Sequence, residues 1–358
     1  MPLFHARNPL KMGGNPFLSQ ATREFHHHFM LPHSGRMEIT MNKIYLDHVS
    51  YVYSAGTPYE QVALDDVSVG IRGGCITGII GHTGSGKSTM MQMLNGLIKP
   101  DKGRVLLDGY DINSTVADVY DAWSEREEYA SLSPRKRKKK MQDEIRERKS
   151  KLCFRVGLVM QYPEYQLFEE TVYADIAFGP RNMGLNEEEI RTRVLEAAAF
   201  CDIDEALLGK SPFDLSGGQK RRVALAGVIA MRPEVLVLDE PAAGLDPLGR
   251  TYIFNEIRAY QRKTGSTVLI VSHSMEDMAR YSDDVIVLSG ARILRQGTRE
   301  EVFAHVEELA QTGLDAPQIT HLMRLLRERG IDAPKNVYTV EEAAAALKKL
   351  FLMGGDVR

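Results

Sequence analysis

Residues Gly81, His82, Thr83, Gly84, Ser85, Gly86, Lys87, Ser88 and Thr89 gather glycine, hydroxyl groups and one lysine into the short stretch "IIGHTGSGKSTM". That mixture suits a chain of phosphates. Converging backbone N–H groups and the positive end of a helix bind phosphate oxygens. Glycine permits the close approach because it lacks a Cβ and tolerates positive φ. The spacing fits G-x-x-x-x-G-K-[ST], in which Lys87 reaches the β- and γ-phosphates and Ser88 offers its hydroxyl to Mg²⁺. Thr89 follows, placed for the next phosphate back. The motif requires a strand before it and a helix after it. "CITGII" is apolar and β-branched, and "STMMQMLNGL" carries apolar residues at helical spacing, so both flanks agree. The chain reads as a binder of a nucleoside triphosphate.

Hydrolysis of that nucleotide needs acidic groups, and "EVLVLDEP" supplies them. Asp239 ends an apolar strand, where it can hold Mg²⁺ through water. Glu240 lies one residue further, placed to polarise an attacking water. A second phosphate-seeking feature is "LSGGQ", Leu215–Gln219, followed by a helical pattern. Ser216, Gly217 and Gly218 open that helix, creating another N-terminus that favours anions. One nucleotide cannot use both helix starts within a single compact chain without a long reach.

The elements that must carry these residues alternate along the chain. "KIYLDHVSYVY" (Lys43–Tyr53) alternates like a strand, and "RVLL", "VGLVM", "VLVLD", "TVLIVS" and "VIVL" read as short buried strands. Helical segments between several of them imply an α/β fold with a largely parallel core sheet. Residues Glu187–Arg232 show only helical patterns, and the tail from Arg299 gives three more helical stretches. The last opens at Thr339 with Glu342 three residues on, a capping box. Residues 113–151 are hydrophilic, with the run "RKRKKK" (Arg135–Lys140), and read as a solvated, partly helical excursion. Residues 1–40 mix Pro, Gly, Asn and His without a period and read as a flexible extension, with Met37 or Met41 as alternative starts. The triplet His26–His28 has no Cys nearby and reads as no metal site.

Bulk properties narrow the function classes. Hydrophobic content of 43% and charged content of 26% over 358 residues fit a globular protein. A net charge of −3 gives no bulk attraction to nucleic acid. Three scattered cysteines, Cys75, Cys153 and Cys201, suggest a reducing compartment and no structural zinc. No run approaches the ~20 apolar residues that span a bilayer, and the first residues lack the apolar core of a signal peptide. Service to a membrane process would then require docking on other subunits.

Taken together in this order, the motifs resemble those of ATP-binding cassette (ABC) ATPases. In that family two cassettes clasp ATP head to tail, and the LSGGQ of one covers the γ-phosphate held by the other. The resemblance implies a P-loop cassette: a mainly parallel core sheet, an antiparallel β subdomain, a helical signature subdomain and here a small helical C-terminal extension. It implies that Gln161, in "LVMQYPE", ligates Mg²⁺ and senses the transporter. Asp246, in "AGLDP", matches the D-loop, and His273, in "IVSHSMED", matches the histidine that contacts the γ-phosphate. Tyr53 matches the aromatic that stacks on adenine, with Tyr51 as the competing choice. Ala242 stands where the family often has threonine after Asp-Glu-Pro; it is not a ligand.

"QYPEYQLFEETVYADIAFGPRNMG" (Gln161–Gly184), His82 within the phosphate loop, and "GTREEVFAHVEELAQTGLDAPQ" resemble the ATPases of energy-coupling factor (ECF) transporters, most of all the second of their two types. The resemblance runs from about residue 43 to the end. It implies a cassette over 41–290, with a charged insertion at 113–151 and the Q-loop and signature subdomain at 162–232, and a dimerisation extension over 291–358. It implies ATP and Mg²⁺ as cofactors, and three partners: a second ABC ATPase, identical or different, a transmembrane coupling protein and a membrane substrate-capture protein. It places the chain on the cytoplasmic face of a bacterial cell membrane, importing vitamins or transition-metal ions, with no nucleic-acid partner. The long basic insertion and the N-terminal extension depart from the family pattern. Two alternatives are an ATPase of a binding-protein-dependent importer and a soluble cassette acting on ribosomes or DNA. The latter usually carry two cassettes or a long coiled coil, and neither is present.

Overall fold

The computed structural model describes residues 42–314 and 316–353. The N-terminal extension, the histidine triplet and the alternative starts lie outside the described residues. The chain opens with β1 (Asn42–Tyr53) and β2 (Gln61–Arg72), then β3 (Ile76–Ile80), α1 (Lys87–Leu94), β4 (Lys102–Leu107) and β5 (Tyr110–Asp111). α2 (Val116–Ser124), α3 (Glu127–Ala130) and α4 (Pro134–Arg155) lead into β6 (Val156–Val159). α5 (Val172–Asn182), α6 (Glu187–Phe200) and α7 (Gly217–Ala230) follow, then β7 (Val235–Asp239), α8 (Pro247–Thr264), β8 (Thr267–Val271), α9 (Met275–Tyr281), β9 (Asp284–Ser289) and β10 (Arg292–Thr298). The chain closes with α10 (Arg299–Phe303), α11 (Val306–Gln311), α12 (Gln318–Glu328) and α13 (Val340–Met353).

Two sheets result. A six-stranded sheet runs β10-β9-β3-β8-β7-β6, parallel except where β10 joins β9. A four-stranded antiparallel sheet runs β2-β1-β4-β5. This is the α/β architecture with a mainly parallel core sheet that the sequence implies. β3 and β8 are buried at every position, as strands covered on both faces must be, and so carry continuous apolar runs. One core packs α5, α6 and α7 against the parallel sheet; the other fills the space between the two sheets and α1. The parallel strands align so that Val271 pairs with both Ile79 of β3 and Asp239 of β7. Their carboxyl ends therefore finish level, at the edge where α/β sheets bind ligands.

Three expectations change. The sheet extends through β10 to Thr298, past the boundary at 290, because Arg292–Thr298 pairs with Asp284–Ser289. Among the described residues the tail holds four helices, since the first stretch breaks between Phe303 and Val306 into two short ones, "REEVF" and "VEELAQ". The charged insertion is not merely solvated. Val119, Trp123, Tyr129, Met141 and Ile145 form a small core of their own. Met141 and Ile145 stand four apart on one face of α4 and meet Trp123 and Tyr129, whose rings stack at 6.0 Å. Arg137, from the basic run, donates to the carbonyls of Tyr129 (3.1 Å), Ala130 (3.2 Å) and Leu132 (3.2 Å), closing the end of α3. Sparse apolar residues hid this pattern from a composition reading.

Glu234, just ahead of β7, ties the two sheets and the insertion together. It accepts from Lys43 Nζ of β1 (2.6 Å) and from Arg155 Nε at the end of α4 (2.8 Å), and both cations also reach Asp108. Burial pushes the Glu234 carboxyl up, but the hydrogen bonds from Arg155 and Lys43 outweigh it and bring the pKa down to about 2. A lowered carboxylate contributes stability above its unfolded value, and the contribution disappears as pH falls through the folded one. Its side chain is 44% exposed, so solvent screening limits the contribution to about 1 kcal/mol. Glu234→Gln should lower the urea midpoint at pH 7. The gap to the parent chain should close as pH falls from about 4.5 through about 2; a gap unchanged by pH would remove the ion cluster as its cause.

Candidate active site

The loop after β3 turns on Gly86, whose φ of 103° lies in the left-handed region, and α1 begins at Lys87. Lys87 is buried, with Nζ donating to the Gly81 carbonyl (2.7 Å) and the His82 carbonyl (2.9 Å). Burial lowers its pKa, and the carboxylates of Glu240 and Asp239 oppose that shift. Ser85 Oγ is buried without a hydrogen-bond partner. His82, Thr83 and Gly84 are exposed at the rim, and Ser88 points outward beside Asp239, its Oγ 3.5 Å from Oδ2. Thr89 Oγ1 lies 3.2 Å from the hydroxyl of Tyr53. Tyr53 is exposed above the loop, whereas Tyr51 packs against the core between the sheets. The two rings meet edge to face at 4.9 Å, and it is Tyr53 whose hydroxyl reaches the loop.

β7 and β8 bring the acidic residues and the histidine to the same edge. Glu240 continues β7 through its N–H to the Val271 carbonyl (3.0 Å), with φ at 49°. A bulky residue in that region is strained by about 1–3 kcal/mol, which the surroundings must hold in place. Arg221 does part of this, donating from α7 to the carbonyls of Glu240 (2.8 Å) and Ala243 (2.7 Å). Sequence reasoning passed over Arg221; its only signal was a basic residue one helical turn into the signature helix. His273 Nε2 stands 3.2 Å from Glu240 Oε1, yet the geometry makes no hydrogen bond and Oε1 is left buried and unpartnered.

Electrostatics at this edge are unbalanced. Burial, then the charge of Asp239, raise Glu240 to about 7. Burial also raises Asp239, against the pull of Lys87. Burial and Lys87 together lower His273, so its imidazole is neutral at physiological pH. Two desolvated carboxylates thus face one lysine and one hydroxyl. An oxygen-donor set of this kind, short of positive charge and open to solvent at Ser88, fits a hard divalent cation shared with substrate phosphates. The buried, unpartnered oxygens of Ser85 and Glu240 fit a further polar ligand.

The remaining sequence-selected residues lie elsewhere. Gln161 is exposed just past the end of β6. Asp246 caps α8, accepting from Gly249 N (2.7 Å). Ser216 caps α7 in a box with Gln219, and Gly217 and Gly218 are exposed, with no atom within 4 Å of where a Cβ would stand. Among the described residues, no hydrogen bond or ion pair joins Ser216–Gln219 to the Gly81–Thr89 loop. The segment after Gln161 exposes four aromatics, Tyr162, Tyr165, Phe168 and Phe178, with the last two rings edge to face at 4.9 Å. Leu167, in the same segment, is buried in the core.

The family model described as "ABC transporter" matches residues 64–243. The energy-coupling factor transporter ATP-binding protein EcfA2 of Caldanaerobacter subterraneus subsp. tengcongensis is 49% identical over 300 residues, covering 84% of this chain and 94% of that one. The solved cbiO1 of Clostridium perfringens, part of the ABC transporter complex cbiONQ, is 37% identical with a TM-score of 0.60, covering 79% of this chain and 99% of that one. A dimeric ATP-binding cassette, MJ0796, solved in a post-hydrolysis state bound to ADP and Pi, is 25% identical with a TM-score of 0.55, covering 72% of this chain and 98% of that one.

Two glycines of the loop separate conformational strain from steric contact. A Cβ on Gly84, at φ 80°, would meet nothing within 4 Å. A Cβ on Gly86 would stand 2.3 Å from the Ala63 carbonyl of β2. Gly84→Ala should therefore cost only the left-handed penalty of about 1–2 kcal/mol. Gly86→Ala must also displace β2 and should melt at a lower temperature than Gly84→Ala. Equal melting temperatures would show that the approach to Ala63 is not the constraint.

Proposed function

This chain belongs to the ABC transporter ATPase family, in its energy-coupling factor branch, and we propose from that membership how its residues divide the work. It is the ATP-hydrolysing subunit of an ECF-type importer and acts within a transporter complex that has membrane components. The observation that carries the residue assignments is the convergence of Lys87, Asp239, Glu240 and His273 at the level ends of β3, β7 and β8.

In this reading the Gly81–Gly86 backbone and Lys87 hold the β- and γ-phosphates, with Ser85 and Thr89 as further donors and Tyr53 stacking on adenine. Ser88, Asp239 and Gln161 hold Mg²⁺, which when bound neutralises charge on the phosphoryl oxygens. Glu240 takes the proton of the attacking water. Its pKa of about 7 leaves it a base strong enough to accept that proton, with about half of it ionised near neutral pH. His273, neutral, donates from Nε2 toward the γ-phosphate beside Glu240. Ser216, Gly217, Gly218 and Gln219, together with Asp246, act on the nucleotide of a second ATPase. The exposure of Ser216, Gly217, Gly218 and Asp246, and the lack among the described residues of any hydrogen bond or ion pair from Ser216–Gln219 to this chain's own loop, support that assignment.

The partners are a second ABC ATPase, identical or different, a transmembrane coupling protein and a membrane substrate-capture protein, with the chain on the cytoplasmic face of a bacterial membrane. No helix among the described residues is long and apolar enough to cross a membrane, which agrees with a peripheral position. Region 291–358 helps to pair the ATPases. The cargo is a vitamin or a transition-metal ion, which this subunit does not touch. The exposed aromatics after Gln161 form the dock for a helix of the coupling protein, and Glu169 and Glu170 meet its basic residues.

Glu240→Gln should retain ATP binding and lose steady-state hydrolysis by roughly 10²–10⁴-fold, measured as phosphate release by the assembled complex. A rate within a few-fold of the parent would take Glu240 out of the role of base. Tyr165 is 84% exposed, so Tyr165→Ala should leave the fold and the ATPase activity of the free pair intact while co-purification with membrane subunits or cargo uptake falls. Unimpaired assembly and uptake in both Tyr165→Ala and Glu169→Lys would place the dock elsewhere.

A further inference from the structure

His273 sits in the turn between β8 and α9, and Ser274 caps α9 by accepting from Asp277 N (3.2 Å). The position of His273 is therefore tied to where α9 lies. α9 is short, and the C-terminal region grips it at both ends. At its start, the N–H of Gln318, first residue of α12, donates to Glu276 Oε1 (3.3 Å). Leu314 and Ala316 are buried, Leu314 within the main core, and both line, with His82, Thr83 and His273, a cleft of about 430 Å³. At the far end of α9, Arg299 Nη1 donates to the Ala279 carbonyl (2.6 Å) while Nη2 reaches Glu342 Oε1 of α13 (3.1 Å). Arg280 of α9 pairs with Glu341 of α13 (2.8 Å). Glu342 is itself held, accepting from the N–H groups of Tyr338 (2.9 Å) and Thr339 (3.1 Å).

We propose that the C-terminal region braces α9 and so positions His273, making Arg299 and Glu342 positioning residues for ATP hydrolysis. The proposal rests on the assignment of His273 to the γ-phosphate. The extension then does more than pair two ATPases. A shift of α12 or α13, as the paired C-terminal regions move, is passed through α9 to the histidine turn, so the pairing contact and the rate of hydrolysis are linked. A shift of about 1 Å at a catalytic group is enough to slow a reaction substantially without weakening ground-state binding.

The test uses the full-length chain in its assembled ATPase pair, with kcat and KM for ATP measured separately. Arg299→Ala should lower kcat about fivefold or more with KM changed by less than about twofold, and with ATP binding and pair formation retained. Arg299→Lys, which keeps a donor for the Ala279 carbonyl, should recover part of the rate. Arg280→Glu and Glu341→Arg should each slow hydrolysis, and the double exchange should restore it. A double-mutant cycle with His273→Ala decides the route: Arg299→Ala should add little in that background. If Arg299→Ala slows hydrolysis by the same factor with and without His273, the brace does not act through the histidine and the proposal falls. Unchanged kcat in folded Arg299→Ala and Arg280→Glu, with His273→Ala slowed to a residual rate, also overturns it and leaves the role of His273 standing. Full activity of His273→Ala would instead refute the histidine assignment itself. Should Arg299→Ala unfold, the Arg280/Glu341 exchange reads the same brace through an exposed pair that contributes little to folding.

Discussion

Val271 is hydrogen-bonded into the sheet on both sides, to β3 through Ile79 and to β7 through Asp239. The ladder continues past the strands, with Glu240 N on the Val271 carbonyl (3.0 Å) and Ser272 N on the Ile79 carbonyl (3.3 Å). Three chain segments far apart in sequence are thereby fixed at one height. Parallel pairing leaves no freedom to slide, because a one-residue slip would turn every buried side chain of β3 or β8 to the opposite face. Both faces of these strands are covered, so the register is set by packing throughout. The phosphate loop, the two carboxylates and the histidine meet because that ladder ends where it does.

What meets there is a site under electrostatic tension. Asp239 and Glu240 are desolvated next to each other, and Lys87 is the main nearby cation. Lys87, for its part, is folded back onto two carbonyls of its own loop. Glu240 is held at positive φ with an unpartnered oxygen. Buried polar groups ordinarily find partners, and their failure to do so concentrates at sites built for a ligand. The cost is borne by the sheet and by Arg221, which links the start of the signature helix to the loop after β7. A helix whose exposed N-terminus makes, among the described residues, no hydrogen bond or ion pair to this chain's own loop is thus fastened to the Glu240 segment.

The peripheral parts are fastened to the same frame. The insertion owns a small core and ends in Arg155, which joins Lys43, Asp108 and Glu234 at the opposite end of the sheet from the site. The C-terminal helices have a second small core, built from Met323, Ala333, Val337 and Ala343. They reach the cassette through Leu314 and through the polar contacts on α9. The insertion touches the segment that leads into β7, and the C-terminal helices touch α9, which follows His273.

Much of this was legible in the residues alone. The phosphate loop, the Asp239–Glu240 pair and the LSGGQ helix start are local patterns, in which chemistry and spacing sit within a few neighbouring residues, and β1, β3, β4, β6, β7, β8 and β9 follow from short apolar or alternating runs, whereas β2, β5 and β10 and the order of strands in the sheets do not. The capping box at Thr339 and Glu342 was legible for the same reason. The small core of the insertion was not, because Trp123, Tyr129, Met141 and Ile145 are diluted by charged residues and meet only when α2 and α3 fold against α4. Nor could the sequence decide that Leu167 is buried while Tyr165 is exposed, since adjacent aromatic and aliphatic residues in an irregular segment carry no period. The 3.2 Å approach of His273 to Glu240, the hold of Arg221 on Glu240, and the grip of Arg299 on α9 belong wholly to the tertiary structure. Each joins residues separated by many others along the chain. Sequence determines which groups are present and how each local segment folds; which distant groups touch is decided by strand register and by the packing of helices on the sheet.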